Sequence, residues 1–187
     1  MNPSINFPDD FPVLETERLS LLPFKADDSE AFFQLRSDQE FMQYLGLHPM
    51  KKPSEARDRV HNIMHAFNIG EGITWKISMK GSTKLIGYIG FWNIDFRHFR
   101  GEIGFGIDLD HQQLGLMSEA MPAILNYGFT ELGLHSVKAD VDPNNEGSIS
   151  LLEGAGFKKE AHFRENYYFD GGFLDSAFYC MLKGDLK

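Results

Sequence analysis

The 187-residue sequence lacks several features that would place a protein in a membrane or a secretory pathway. Cys180 is the single cysteine, so no disulfide can form within the chain, which favours a reducing compartment. No apolar stretch approaches the roughly 18 residues of a membrane-spanning helix. The first twelve residues have neither the basic start nor the apolar run of a signal peptide. We therefore expect a soluble, cytoplasmic protein with no membrane partner.

Basic residues are also scarce. The sequence has 18 Lys and Arg residues against 27 Asp and Glu residues, which gives a formal net charge of −9. Proteins that bind nucleic acid non-specifically need a basic surface that displaces counterions. The charge balance argues against a nucleic-acid partner and is compatible with a cationic or amine substrate.

The sequence lacks the two common phosphate-binding motifs and a convincing metal motif. It has no G-x-x-x-x-G-K-[ST] and no G-x-G-x-x-G with a following acidic residue, so neither a P-loop nucleotidase nor a Rossmann dehydrogenase is favoured. His61 and His65 lie four residues apart on a predicted helix, but Asn62 stands where the H-E-x-x-H motif has its glutamate. We expect no metal cofactor.

Strand and helix patterns are present in an order that indicates a mixed sheet. Hydrophobic residues make up 42% of the chain, enough for a substantial core. Alternating patterns predict strands at 18–24, 73–79, 84–94, 101–109 and 136–141, and a pair of strands within 167–182 around Asp170-Gly171-Gly172. Helical spacing predicts helices at 26–36, at 53–68, from Met117 to Leu132 and within 142–157. This order favours an α+β fold, with a central mixed sheet and helices on both faces.

The strand at 101–109 has two contrasting faces. Ile103, Phe105, Ile107 and Leu109 alternate on one face, which we assign to the core. Glu102, Gly104, Gly106 and Asp108 occupy the other face, which reads as bare backbone between two carboxylates. Glycines inside a strand mark a bulge, or the close approach of a ligand or of another element, and the pattern does not separate these alternatives.

The segment HQQLGLMSEAM, residues 111–121, leads from this strand into a helix through a turn with one glycine, Gly115. The first N–H groups of a helix have no intrahelical partner, and together with the helix dipole they attract phosphate. Gly115 would allow close approach of a ligand to the backbone. One glycine before a helix is common, so the spacing alone is a weak signal.

Together with other segments, this turn resembles the GNAT acyltransferase superfamily, and within it the RimJ/RimL group of ribosomal-protein N-terminal acetyltransferases. The superfamily marks its acetyl-CoA site with Q/R-x-x-G-x-G/A, and the matching residues are Gln112 to Met117, followed by Ser118-Glu119-Ala120. Further matches occur in the same order along the chain: 14–24, 84–94, 102–107, 141–157 and a terminal strand that contains Tyr179.

The resemblance implies one GNAT N-acetyltransferase domain over residues 1–187, with 1–13 as an N-terminal arm, and a three-layer αβα fold with a mostly antiparallel, twisted sheet. It implies acetyl-CoA as the acetyl donor. The residues it implies for acetyl-CoA binding are Ile107, Asp108, Leu109, Gln112, Gln113, Leu114, Gly115, Leu116, Met117, Ser118, Asn145 and Ser148.

The sequence departs from the family pattern at two positions. Met117 stands where glycine or alanine is usual, and we expect its side chain to crowd the pyrophosphate turn. Leu152 stands where many members have the tyrosine that protonates the CoA thiolate. The subgroup often has a serine one helical turn earlier, which here is Ser148, and Asn145 matches an asparagine that contacts the pantetheine arm. The alternative role for Asn145 and Ser148 is helix capping alone.

Acetyl transfer requires a neutral amine and therefore a proton acceptor. Glu102 is the candidate base, directly or through water; the alternative is a strand glutamate that is merely solvated or ion-paired. Ser148 is the candidate proton donor to the thiolate, and backbone N–H groups near the end of the 101–109 strand are candidate donors to the thioester oxygen.

The resemblance favours a protein N-terminal α-amine as the acceptor. Two alternatives stay open: a small amine such as a polyamine, an amino acid or an antibiotic, and a CoA-binding regulatory module without turnover. Aromatic residues near the C-terminal hairpin are candidate contacts for a homodimer.

Overall fold

An eight-stranded mixed sheet organises residues 4–186, the part of the chain that the computed structural model describes. Its spatial order is β1-β2-β3-β4-β5-β6-β8-β7. The strands are β1 (Leu14–Glu15), β2 (Leu19–Pro23), β3 (Ile73–Met79), β4 (Gly87–Asp95), β5 (Arg100–Ile107), β6 (Ser136–Val141), β7 (Lys158–Phe169) and β8 (Gly172–Leu182).

Helices connect the strands at three points along the chain: between β2 and β3, between β5 and β6, and between β6 and β7. They are α1 (Ser29–Ser37), α2 (Gln39–Met42), α3 (Pro53–Asn68), α4 (Leu116–Asn126) and α5 (Glu146–Ala155). Pro53 begins α3 at a position where its missing N–H costs no hydrogen bond. A π-helical turn, Tyr127–Glu131, continues α4 as far as the glycine at 133, which has a φ of +83°. A second left-handed glycine, Gly156, ends α5.

Neighbouring strands are antiparallel except for β5 and β6, which run parallel. This parallel pairing covers only Arg100–Glu102 against Ser136–Lys138. Both strands continue beyond it, β5 to Ile107 and β6 to Val141, without pairing to each other. The sheet therefore opens between them, and the backbone edge of β5 that faces the opening is free of strand partners.

The two faces of the sheet carry different helices. Ile89 and Phe91 of β4 are fully buried in the larger core cluster, which includes Met121 of α4. Tyr88, the intervening residue, belongs to the second cluster with residues of α1 and α3. Alternate side chains of one strand point to opposite faces, so the helices cover both of them, as predicted. The α+β fold class is confirmed.

The predicted arm packs against the core in the part that is described, residues 4–13. Phe11 contacts Phe67 and Trp75 at ring-centroid distances of 4.9 and 5.5 Å. The Trp75 indole N–H donates a 2.6 Å hydrogen bond to the carbonyl of Pro12. The start of the arm, residues 1–3, lies outside the described residues.

The predicted strands and long helices are found with small shifts at their ends, and one element differs more. The hairpin turn lies at 170–171 as expected, but β7 begins at Lys158, well before the predicted pair of strands at 167–182. The sequence from 158 to 166 is mostly polar and exposed, so it gave no alternating signal. Tyr168 and Phe173 near the turn are each 64% exposed; their role in a dimer stays a prediction.

None of the helices within residues 4–186 has both the length and the apolar character that crossing a bilayer demands.

Candidate functional site

Two adjoining cavities open where β5 and β6 separate. The first, of about 420 Å³, lies between α1, α3 and the strands, and we call it the carboxylate cavity because Glu102, Asp140 and Asp142 line it. The second, of about 400 Å³, lies between the end of β5, the turn into α4 and the α2 region, by which we mean α2 and the residues after it as far as Leu45. We call this second cavity the turn cleft. The residues that line both are Tyr44, Leu45, Phe105, Asn145 and Ser148.

The turn that borders this cleft carries a row of backbone donors. Gly115 precedes α4 with a φ of +74°, in the left-handed region that glycine adopts without strain. No acceptor within residues 4–186 receives a hydrogen bond from the backbone N–H groups of 113–118. These donors and the positive end of the α4 dipole form a site suited to an anionic group such as a diphosphate.

A side-chain network fixes the same turn from behind. The Arg18 guanidinium donates to a Glu119 carboxylate oxygen at 2.6 Å and to the Leu114 carbonyl at 3.0 Å. The Thr16 hydroxyl donates to the same carboxylate at 2.5 Å, as does the Arg18 backbone N–H at 2.7 Å. The hydrogen bond from Thr16, together with the donors and charge of Arg18, lowers the pKa of Glu119 to about 2. Nothing in the sequence indicates this network, because its partners lie about a hundred residues apart.

Most of the residues implied for acetyl-CoA binding line the turn cleft: Ile107, Leu109, Gln112, Gln113, Gly115, Leu116, Met117, Ser118, Asn145 and Ser148. Asp108 and Leu114 do not line it. The Asp108 carboxylate accepts a hydrogen bond from the Asp110 backbone N–H, and Leu114 is 55% exposed to solvent. The α2 region adds further lining residues that the motif did not indicate: Glu40, Phe41, Gln43, Tyr44 and Leu45.

Met117 does not crowd the turn, contrary to the expectation from the sequence. Its side chain is only 9% exposed and packs in the larger core cluster with Leu116 and Met121. At this position in the first turn of α4 the side chain points to the core, so the larger residue fills core volume and leaves the backbone donors accessible.

The second face of β5 is not bare backbone, which corrects another expectation. A Cβ added to Gly104 would lie 1.6 Å from the Trp92 indole, and one added to Gly106 would lie 2.6 Å from the Phe41 ring. These glycines make room for aromatic side chains from β4 and α2. The bulge that the glycines suggested is not found: β5 pairs regularly with β4 from Ile107 to Glu102, which lies opposite Trp92. The register shifts only beyond this point, between Trp92 and Asp95 of β4.

Glu102 lies in the carboxylate cavity but is firmly paired. Its carboxylate accepts hydrogen bonds from Lys138 at 3.0 Å and from Asn93 at 3.1 Å. Partial burial acts to raise the pKa of Glu102, but the hydrogen bonds and the charge of Lys138 outweigh it, and the pKa lies below its ordinary value. A carboxylate of this kind holds a proton weakly, so it is a poorer base than an unpaired one.

Asp140 is the second carboxylate of the cavity, and it was not among the residues predicted from the sequence. It follows Lys138 by two residues on β6, on the same face of the sheet, and that lysine pairs in register with Glu102. Burial raises the pKa of Asp140, as does the negative charge of Glu102, although Ser176 and Lys138 oppose the shift. The alternation of SVKADV, with Val137, Ala139 and Val141 buried, contained the signal that Asp140 faces away from the core.

The start of α5 holds Asn145, which the resemblance implies for the pantetheine arm, and Ser148, the candidate proton donor to the thiolate. The Asn145 side chain caps the helix by accepting a 3.0 Å hydrogen bond from the Ser148 N–H. Asn145 therefore has the capping role that was considered as the alternative. Both residues also line both cavities, and the Ser148 hydroxyl has no hydrogen-bond partner within residues 4–186. Leu152, one turn later, is fully buried. Tyr44 is the tyrosine that lines both cavities, and it comes from the α2 region.

The sequence of the chain matches a known protein family and several known proteins. Residues 18–158 match the family model described as the acetyltransferase (GNAT) domain. The chain is 36% identical over 173 residues to YoaA of Bacillus subtilis (strain 168), an N-acetyltransferase described as uncharacterized; the match covers 92% of this chain and 98% of YoaA. It is 24% identical over 159 residues to the spermidine N(1)-acetyltransferase of Vibrio cholerae, covering 84% and 89% of the two chains.

Solved structures with the same fold include several acetyltransferases. A GNAT-family acetyltransferase from Bacillus anthracis superposes with a TM-score of 0.82 at 26% identity, covering 92% of this chain and 99% of the other. The RimL ribosomal L7/L12 α-N-protein acetyltransferase in complex with coenzyme A superposes with a TM-score of 0.83 at 18% identity, covering 91% and 98%. At that identity the likeness concerns the fold alone.

Proposed function

The chain belongs to the GNAT family of N-acetyltransferases, and from this premise we propose that it transfers the acetyl group of acetyl-CoA to the N-terminal α-amine of a protein or peptide. The turn cleft binds the donor, with its diphosphate at the N–H groups of 113–118 and its pantetheine arm along β5. The carboxylate cavity binds the acceptor. The resemblance of the sequence motifs, from Gln112 to Ala120, to the RimJ/RimL group supports this choice of acceptor.

The observation that carries the proposal is the junction of the two cavities. Asn145 and Ser148 belong to both linings, so a thioester that extends from the turn cleft and an amine that enters through the carboxylate cavity would meet beside them. Such positioning turns a bimolecular reaction into an effectively unimolecular one, and enzymes gain much of their rate in this way.

The reaction needs a base, an oxyanion site and a proton for the leaving group. The α-amine must lose a proton before or during its attack on the thioester carbon, and Asp140 is the stronger base of the two carboxylates nearest to Lys138. Glu102, which the sequence favoured as base, then holds the acceptor ammonium by its charge. Backbone N–H groups of β5 beyond Glu102 that point toward the opening can donate to the thioester oxygen as negative charge develops. Ser148 then donates a hydrogen bond to the departing CoA thiolate.

A small cationic amine is the second candidate acceptor. The carboxylates of Glu102, Asp140 and Asp142 attract a polyamine, and a spermidine acetyltransferase is among the relatives. Arg36 and Arg59 line the same cavity and oppose a ligand with several positive charges. This pair of arginines favours the peptide over the polyamine.

Initial rates of CoA thiol release can decide between these acceptors. The panel contains peptides with a free N-terminus, the same peptides with a blocked N-terminus and an internal lysine, and spermidine, each with acetyl-CoA. We expect turnover of the free peptides, with the acetyl group found on the α-nitrogen by mass spectrometry. Spermidine turnover at a kcat/KM more than about tenfold above every peptide would reject the N-terminal assignment.

A further inference from the structure

Two arginines give the carboxylate cavity a positive wall. Arg36 is on α1 and Arg59 is on α3, and both line the cavity. The acidic residues of the same cavity come from the strands and the turn after β6: Glu102, Asp140 and Asp142. The cavity therefore offers cationic groups from its helices and anionic groups from its sheet.

The positive charge of Arg36 is not compensated by an ion pair within residues 4–186. The residue is half-buried, and its Nη1 donates a 2.9 Å hydrogen bond to the Tyr88 hydroxyl, which is neutral. Its Nε is buried and has no hydrogen-bond partner within residues 4–186. Neither Arg36 nor Arg59 forms an ion pair with any residue in that range.

A partly desolvated guanidinium without a counter-charge is costly, because burial removes water that would otherwise solvate the ion. Most buried charges in proteins are paired for this reason. The Tyr88 hydroxyl holds Arg36 in place but supplies no negative charge. A ligand that brings an anionic group to the two arginines would compensate the charge and form strong, charge-assisted hydrogen bonds.

We propose that the acceptor is an amine that also carries a carboxylate, and that Arg36 and Arg59 bind this carboxylate while the amine lies beside Asp140 and Glu102. This inference rests on the proposed function, since it names the acceptor class of the same site. Within that function the carboxylate belongs to an aspartate or glutamate close to the N-terminus of the peptide. A free acidic amino acid offers the same chemistry, and the experiment separates the two sources.

The test uses acceptors that differ only in carboxylate against carboxamide. Ser-Glu and Ser-Gln peptides with amidated C-termini form one pair, and free glutamate and glutamine form the other. We expect a kcat/KM for the Ser-Glu peptide at least about tenfold above that for Ser-Gln, the size typical of hydrogen bonds to a charged group. If only glutamate reacts, with the same preference over glutamine, the carboxylate site stands and the peptide assignment fails.

Three variants identify the arginines as the cause. Arg36→Gln and Arg59→Gln should bring the Glu-to-Gln ratio close to one, and Arg36→Lys should restore part of it. Arg57→Gln is the matched control, because Arg57 is an exposed arginine on the same helix as Arg59 that does not line the cavity. It should keep the wild-type ratio, and the KM for acetyl-CoA should stay unchanged in all variants.

Equal rates within both pairs, or acetylation of spermidine without either carboxylate acceptor, would overturn the inference. If none of these acceptors is acetylated, binding of the acetylated products tests the proposal instead. By calorimetry in the presence of CoA, the N-acetylated Ser-Glu product should bind more tightly than the N-acetylated Ser-Gln product. Equal binding, or no binding of either product, overturns the proposal as well.

Discussion

Arg18 and Glu119 form an ion pair of 2.6 Å that joins the segment before β2 to the first turn of α4. Arg18 precedes β2, and Glu119 is in the first turn of α4, directly after the turn that carries the free N–H groups. The same guanidinium donates to the carbonyl of Leu114, so one side chain fixes both the helix and the turn. The charge pair therefore determines the shape of the donor site as well as contributing to stability.

Replacing Glu119 by glutamine should destabilise the fold in a pH-dependent manner. The folded pKa of about 2 lies below the ordinary 4.5 of the carboxyl. The stabilisation is thus present above pH 4.5 and is lost as the pH falls toward 2. Solvent screens this interaction because Arg18 is partly exposed. We therefore expect Glu119→Gln to lower the free energy of unfolding at pH 7 by about 1–2 kcal/mol, which corresponds to a Tm lower by roughly 3–6 °C.

Thermal unfolding of wild type and Glu119→Gln between pH 7 and pH 3 measures this difference. The difference in Tm between wild type and Glu119→Gln should become smaller as the pH falls below 4.5. Lys158→Gln is the control, since it removes the ion pair between Lys158 and Asp185, in which the lysine is 69% exposed. That variant should change Tm much less. A gap between wild type and Glu119→Gln that stays constant with pH would contradict the assignment.

Gly115 allows two substitutions that separate backbone strain from charge. Its φ of +74° disfavours any side chain, but a Cβ would meet only Arg18, at 3.6 Å. Gly115→Ala should therefore cost about 1–2 kcal/mol of stability from strain and weaken acetyl-CoA binding modestly. Gly115→Glu should place a negative charge against the diphosphate and abolish measurable binding. Calorimetry on folded samples distinguishes them; unchanged affinity in the glutamate variant would refute the position of the diphosphate.

Ser148 should affect turnover more than binding. Its hydroxyl interacts with a thiolate that develops only in the transition state, so Ser148→Ala should lower kcat more than it raises the KM for acetyl-CoA. Loss of one positioned proton donor reduces rates by about 10²–10⁴-fold. Ser150→Ala is a control on the same helix, because Ser150 lines the turn cleft but not the carboxylate cavity. A kcat within about twofold of wild type for Ser148→Ala removes this residue from the mechanism.

The sequence alone predicts the helices and strands whose hydrophobic periodicity is strong and local. The 53–68 helix and the strands at 73–79 and 136–141 are found with the predicted bounds. Each of these elements buries one face, and this burial gives its sequence a regular pattern of apolar residues. The polar half of β7 has no such pattern, because backbone hydrogen bonds fix its pairing with β8 and most of its side chains are in solvent.

The candidate site was predictable only where a motif is contiguous. Gly115 and the residues around it could be selected from their order, whereas the roles of Gly104 and Gly106 depend on Trp92 and Phe41, which reach them from other elements. The carboxylate cavity draws its residues from both ends of the chain. Asp140 became a candidate base only when the parallel register placed Lys138 opposite Glu102, and a pairing of that kind leaves no signature in one sequence.

The two carboxylates beside Lys138 should respond differently to removal of their charge. Asp140→Asn removes the proposed base and should lower kcat by about 10²-fold or more, with acetyl-CoA affinity nearly unchanged. Glu102→Gln removes a carboxylate that is ionised over a wide pH range, so it should raise the KM for the acceptor more than it lowers kcat. Initial rates at saturating acetyl-CoA separate these effects. A larger loss of kcat in Glu102→Gln than in Asp140→Asn would return the role of base to Glu102.

The pH dependence of Asp140→Asn supplies a second, independent readout. Protonation of Asp140 should inactivate the wild type, so kcat/KM should fall as the pH drops through its raised pKa, and this limb should vanish in the variant. The limb at higher pH, which contains deprotonation of the acceptor amine, should remain in both.

A carboxyl whose pKa is raised by folding binds its proton more tightly when folded, so its ionisation opposes folding above that pKa and has no effect below its unfolded value. Asp140→Asn should therefore raise Tm at pH 7, by an amount on the order of 1 °C because the residue is only partly desolvated in the cavity and solvent still reaches it, and should leave it unchanged near pH 3. Loss of activity together with a lower Tm at pH 7 would instead assign Asp140 a structural role.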